Sequence, residues 1–138
     1  MAKITLDEIV KAIEAKNPRD WTVSSWEENN NTWPYGRQDW NEYYFTQYKS
    51  KFSNFEVSVV KIKDDYTSRH VESYSEEVSH STTTTYKYQL KLKEGKRVLA
   101  KFEGEKARKA YNLVLRKIRE YNAKEKESSI KKFKRAIR

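Results

Sequence analysis

Cysteine is absent from this sequence of 138 residues, and glycine and proline occur only 3 and 2 times. Without cysteine the chain forms no disulfide, has no thiol nucleophile and offers no thiolate to a zinc ion. The scarcity of glycine and proline argues against a chain that is disordered throughout. The scarcity of glycine and proline favours a folded protein, the lack of cysteine is compatible with a reducing compartment, and we expect a soluble, cytoplasmic protein.

Long apolar runs are also missing. No stretch approaches the roughly 18 apolar residues of a membrane span, and the first residues enter an amphipathic helix rather than the apolar segment of a signal peptide. Apolar and charged residues each make up 36% of the chain, so the core is thin and the aromatic residues (14%) must supply much of it. The length suits one domain.

Recognisable catalytic patterns are lacking as well. There is no glycine-rich phosphate loop and no nucleophile elbow. His70 and His80 could face each other across a hairpin and bind a metal with nearby glutamates, although exposed loop histidines are far commoner. Asp64 and Asp65 end a strand, as the carboxylates of some metal-dependent nucleases do, but no distant partner carboxylate can be assigned. We therefore predict a protein that is not an enzyme, with no metal and no cofactor.

Helical periodicity occurs in two places. Thr5 and Glu8 have the spacing of a capping box, and an apolar stripe follows as far as Ile13, so a helix begins at the N-terminus. A longer helix is predicted from about Glu105 to Ala123, where apolar residues recur at spacings of 4, 3, 4 and 3.

Strand patterns lie between the two helices. Short strands are predicted over residues 21–24, 40–48 and 55–62, and strict alternation runs from Thr82 to Lys93 before a turn at Glu94-Gly95. Residues 27–38 are predicted to be a loop, and residues 66–81 either a hairpin connection or an extension of two strands. The sequence thus predicts an α+β fold: an N-terminal helix, an antiparallel meander of four or five strands, a long C-terminal helix packed on one face, and a basic helical tail.

The positive charge is concentrated at the C-terminal end. Residues 104–138 contain 13 lysines and arginines against 4 acidic residues, a surplus equal to the +9 of the whole chain. We assign residues 1–123 to a single α+β domain and residues 124–138 to a basic amphipathic helical tail. A localised cationic end attracts polyanions, either nucleic acid or an acidic protein surface, but it is also typical of a tail that only aids solubility.

Candidate binding residues follow from this distribution. Lysine and arginine neutralise phosphates and release counterions, which gives affinity without sequence preference. The predicted nucleic-acid contacts are Lys131, Lys132, Lys134, Arg135 and Arg138 in the tail, Arg116, Lys117 and Arg119 in the long helix, and Lys87 and Lys91 on the polar face of the sheet.

Aromatic residues are concentrated elsewhere, with 11 of the 19 between residues 21 and 55. Trp21 and one face of the strand over residues 40–48 are expected to be core, because the chain is short of leucine. Trp33 and Tyr35 are the exception, because they lie among asparagines in the predicted loop, and we predict that they contact a partner by stacking or anchoring.

Three functions are compatible with these features. The first is a non-enzymatic protein that binds nucleic acid, or a complex that handles nucleic acid, through the tail and the exposed aromatic residues. The second is an accessory protein of a phage or mobile element that acts as an inhibitor or adaptor of a host enzyme. The third is a small metal-dependent nuclease. The oligomeric state is not predicted.

Overall fold

The α+β architecture is confirmed. The computed structural model describes residues 3–32, 37–71 and 78–138, and at the margins of the gaps (residues 30–32, 37–38, 69–71 and 78–80) the backbone alone. In chain order the elements are α1 (Leu6–Ala15), a 3₁₀ turn (Pro18–Asp20), β1 (Thr22–Thr32), β2 (Arg37–Phe52), β3 (Phe55–Val71), β4 (Val78–Glu94), β5 (Arg97–Glu103) and α2 (Glu105–Ala136).

Helix α1 begins where the capping pattern places it. The Thr5 hydroxyl oxygen accepts a hydrogen bond from the Glu8 amide at 3.3 Å, and the same hydroxyl donates to the Glu8 carboxylate at 3.2 Å. The cap therefore satisfies one orphan amide of the first turn. Ile9 and Ile13 are buried, so the predicted apolar stripe faces the core.

The sheet is an antiparallel meander in the order β1-β2-β3-β4-β5. Its strands are longer than predicted. The predicted loop is wrong for residues 27–32 and 37–38, which pair in β1 and β2, while residues 33–36 lie outside the described chain. Residues 29–32 pair with β2 although they have no apolar alternation. β1 is an edge strand of the described sheet, and its side chains from Thr22 to Asn29 are exposed, so pairing needs no apolar alternation.

The two faces of the sheet differ in what covers them. On the helix face, Val57, Val59, Leu90 and Leu92 form the core together with Ile9 and Ile13 of α1 and with α2. The opposite face, called the open face below, carries Ser58, Val60 and Ile62 of β3 at the alternate positions. A register shift between Leu92 and Lys93 places Val98 opposite Lys93. Val98 therefore lies on the open face, although its spacing from Ala100 and Phe102 would place it with them on the helix face.

Helix α2 covers only part of the helix face. It follows Gly104, whose φ of 74° suits glycine, and buries Ala107, Ala110, Tyr111 and Val114. Its 32 residues extend for about 48 Å, so the predicted tail continues α2 without interruption as far as Ala136. Every residue from 122 to 138 is exposed, which shows that this end of the helix leaves the body of the molecule.

Candidate nucleic-acid interface

The C-terminal cations are exposed and mostly unpaired within the described chain. Lys131 lies 3.3 Å from the Glu127 carboxylate one turn earlier. No ion pair within the described residues involves the other four predicted tail cations, which are Lys132, Lys134, Arg135 and Arg138.

The same cations repel one another. Lys131 and Arg135 are four residues apart in α2, and like charges at this spacing destabilise a helix by about 0.2–0.5 kcal/mol per pair. Lys134 and Arg135 oppose this by lying in the last turn, where cations favour the negative end of the helix dipole. An external anion would relieve the remaining repulsion.

The three predicted cations further up α2 have different surroundings. Arg119 is exposed, and Arg116 lies 3.9 Å from the Glu120 carboxylate. Lys117 instead donates hydrogen bonds to the carbonyl oxygens of Ile13 at 2.8 Å, Glu14 at 2.5 Å and Lys16 at 2.7 Å. Partial burial lowers the pKa of Lys117. Its ammonium group caps the C-terminal end of α1, so its hydrogen bonds are made within the molecule.

Lys87 and Lys91 of β4 lie on the open face. Lys91 pairs with Lys101 of β5, and Gln89 between the two lysines pairs with Glu103. Lys101 contacts the Glu103 carboxylate at 2.8 Å. The pKa of Glu103 is lowered, chiefly by the hydrogen bond from Lys101 and by its charge. The charges of Lys87 and Lys91 lower it further. One carboxylate thus stands among three lysines, and the cluster keeps a net positive charge.

An aromatic pair on the same face was not predicted as a site. Trp26 of β1 pairs with Phe45 of β2, and their rings stack with centroids 4.9 Å apart and planes 3° from parallel. Tyr43 lies 6.4 Å from Phe45. Only the register of β1 on β2 brings Trp26 and Phe45 together, and the assignment of residues 27–32 to a loop hid that register.

Trp33 and Tyr35, the predicted partner contacts, lie outside the described residues.

The carboxylates and histidines of the nuclease hypothesis are dispersed where the structure describes them. Asp64 accepts a hydrogen bond from Asn41 at 2.8 Å on the open face, whereas Asp65 accepts one from Thr84 at 2.7 Å on the other side of the sheet. His80 pairs with Arg69 and His70 with Ser79, so the backbone register does not pair the histidines with each other. In the described ranges no three His, Asp or Glu side chains are grouped as metal ligands.

No protein-family model matches the chain, and no curated protein is similar to it at a significant level. Neither helix of the described chain combines the length and the hydropathy that crossing a membrane demands.

Proposed function

We propose that this is a non-enzymatic, cytoplasmic protein that binds nucleic acid, with the exposed end of α2 as its main electrostatic contact. The observation that carries the proposal is the tail itself: five exposed cations lie within residues 131–138, four of them in α2, and one of the five has a carboxylate partner among the described residues. Lys134 and Arg135 in the last turn complement the helix dipole, whereas Lys131 and Lys132 lie before that turn. Phosphates are suitable counter-charges, since they sit at regular intervals along a backbone.

Removing the tail charge tests this. Replacing Lys131, Lys132, Lys134, Arg135 and Arg138 by glutamine should weaken binding to mixed-sequence DNA and RNA and make the slope of log K against log salt shallower by about 3.5–4.5, since each phosphate contact contributes roughly 0.7–0.9. Fluorescence anisotropy of labelled oligonucleotides over a salt series gives the slope.

A charge-matched control separates a local contact from the effect of net charge. Glutamine at the exposed lysines Lys3, Lys11, Lys96, Lys106 and Lys109 removes the same charge from other parts of the surface. Affinity should stay closer to that of the unmodified protein than in the tail variant. Equal losses in both variants, or no binding by the unmodified protein at low salt, would refute the tail as the contact.

A protein partner is the second candidate, and a separate observation favours it. Ile130, Phe133 and Ile137 are spaced three and four residues apart along the tail, with exposed fractions of 45%, 64% and 67%. An apolar edge flanked by cations is complementary to an acidic protein surface with an apolar groove, as an adaptor or inhibitor would need. Phosphate contacts do not require this edge.

The apolar edge therefore gives a test of whether the tail contacts nucleic acid through its charges alone. Phe133→Ser should leave affinity for oligonucleotides within about twofold if the tail contacts phosphates, because no charge is removed. Anisotropy measures this directly, and Lys132→Gln serves as the matched single substitution that should weaken binding. A large loss of oligonucleotide affinity with Phe133→Ser would show that the apolar edge takes part in nucleic-acid binding and would contradict contact through phosphates alone.

A further inference from the structure

The open face of the sheet has an apolar strip that no described element covers. Val60 and Ile62 are 7% and 9% exposed, yet neither belongs to the core cluster that packs with α1 and α2. Their neighbours in the same rows are side chains of the adjacent strands, with Phe45 and Lys87 beside Ile62 and Gln47 and Gln89 beside Val60. The strip is therefore a shallow surface made by the sheet alone.

Aromatic rings form one side of this strip. Phe45 covers one face of the Trp26 ring, and β1 is the last strand on that side of the described sheet, so no strand lies beyond Trp26. Trp26 remains 38% exposed. A planar group arriving at this edge can continue the stack, and Tyr43, one row away at roughly 7 Å, offers a second ring.

Lysines form the other side. Lys87 of β4 lies in the same row as Trp26 of β1, Phe45 of β2 and Ile62 of β3. Two rows further along the open face, Lys49 of β2 and Lys91 of β4 lie on either side of Ser58. Lys101 of β5 is the next residue in that row, because it pairs with Lys91. Positive charge therefore lies beside the Trp26–Phe45 pair, whereas Tyr43 has the carboxylates Glu28 and Asp64 as neighbours in its own row.

We infer that the open face binds single-stranded nucleic acid, with unpaired bases stacking on Trp26 and Tyr43 and the backbone lying along Lys87, Lys91 and Lys49. Base stacking on aromatic side chains in a positively charged groove is the general means of holding single strands without sequence preference. In a duplex the bases are stacked inside and their faces cannot reach a sheet. The charge also favours this occupant over a protein, because the cores of protein interfaces are depleted in lysine.

This inference rests on the proposed function, which it deepens by naming the form of the nucleic acid, but it uses the side of the sheet opposite to α2. The test compares a labelled single-stranded oligonucleotide with its duplex in anisotropy titrations. Trp26→Ala should weaken single-strand binding about 5- to 150-fold, the equivalent of one stacked base at about 1–3 kcal/mol, and leave duplex binding unchanged. Trp26→Phe should retain most of the affinity.

A second variant keeps the inference testable even if Trp26→Ala fails to fold. Lys87→Gln combined with Lys91→Gln leaves the aromatic stack intact and should reduce the single-strand salt slope by about 1.4. The matched control is Lys96→Gln with Lys106→Gln, both exposed and off the open face, which should leave the slope nearly unchanged. Thermal melting shows which variants remain folded.

The outcomes separate this inference from the proposed function. If the unmodified protein binds no nucleic acid, both fail. If it binds, but duplex and single strand bind equally and neither set of open-face variants changes the affinity, the tail proposal stands and the open face is not a binding surface. Tight binding of an acidic peptide that depends on Trp26, with no preference for single strands, would show that the occupant is a protein and overturn the inference.

Discussion

At the residue scale, Tyr111 shows how one side chain joins both layers of the fold. It is 4% exposed on α2, and its ring meets the rings of Tyr48 and Tyr88 edge-on, with centroids 5.6 Å apart in each pair. Such contacts contribute about 0.5–1.5 kcal/mol beyond the area that they bury. Burial also raises the pKa of Tyr111 to about 12, because the phenolate is poorly solvated there.

The raised pKa predicts a loss of stability at alkaline pH. An unfolded tyrosine ionises near its ordinary value of 10.0, whereas the folded protein holds Tyr111 protonated to about 12. This contribution to the free energy of unfolding is complete below pH 10 and disappears as the pH rises towards 12. Denaturant melts between these values should show Tyr111→Phe losing less stability than the unmodified protein. Tyr86→Phe, at a site 53% exposed, is the control, and an equal pH dependence in all three proteins would contradict the assignment.

At the element scale, Lys117 ties α2 to α1. A helix leaves its last four carbonyl groups without partners, and α1 has no basic residue of its own in the last turn. The Lys117 ammonium group supplies three hydrogen bonds to carbonyls at this end. The contact joins residues about one hundred positions apart, so it helps to set the packing of the two helices.

Lys117→Met should therefore destabilise the fold. It keeps an aliphatic side chain of similar length but removes the donors, and we expect the free energy of unfolding to fall by about 1–2 kcal/mol, since water compensates the carbonyls only in part. Chemical denaturation measures the change. Lys124→Met, at an exposed position on the same helix, should stay within about 0.5 kcal/mol. Equal stability of the two variants would show that the contact contributes little.

Elements also differ in how far sequence patterns located them. Both helices follow apolar stripes, and the alternation from Thr82 to Lys93 lies within β4. Strand β1 was largely missed because an exposed edge strand carries no alternation, and its pairing depends on β2. The bulge near Leu92 was also missed, since an unpaired residue is defined only by the partner strand.

At the scale of the whole molecule, charge is segregated by element. Residues 1–50 contain 6 basic and 8 acidic residues, and residues 51–103 contain 10 basic and 8 acidic residues. The body is therefore nearly neutral, and the positive surplus lies in residues 104–138, which include α2. The proposed single-strand surface lies on the side of the sheet opposite to α2. If one strand engages both surfaces, the first contact raises the effective concentration of the second, and the overall affinity exceeds that of either surface.

Period and composition by themselves determined the layers of this protein: two amphipathic helices, an antiparallel meander, and a cationic C-terminal helix. These properties are local, since they depend on residues within about one or two turns or strand positions of each other. The extent of β1 and the pairing of Trp26 with Phe45 were decided only by tertiary structure. The same holds for the lysines gathered on an uncovered face and the role of Lys117 as a cap. Each depends on register or packing between distant segments, and a one-residue change in register would turn a side chain to the other face.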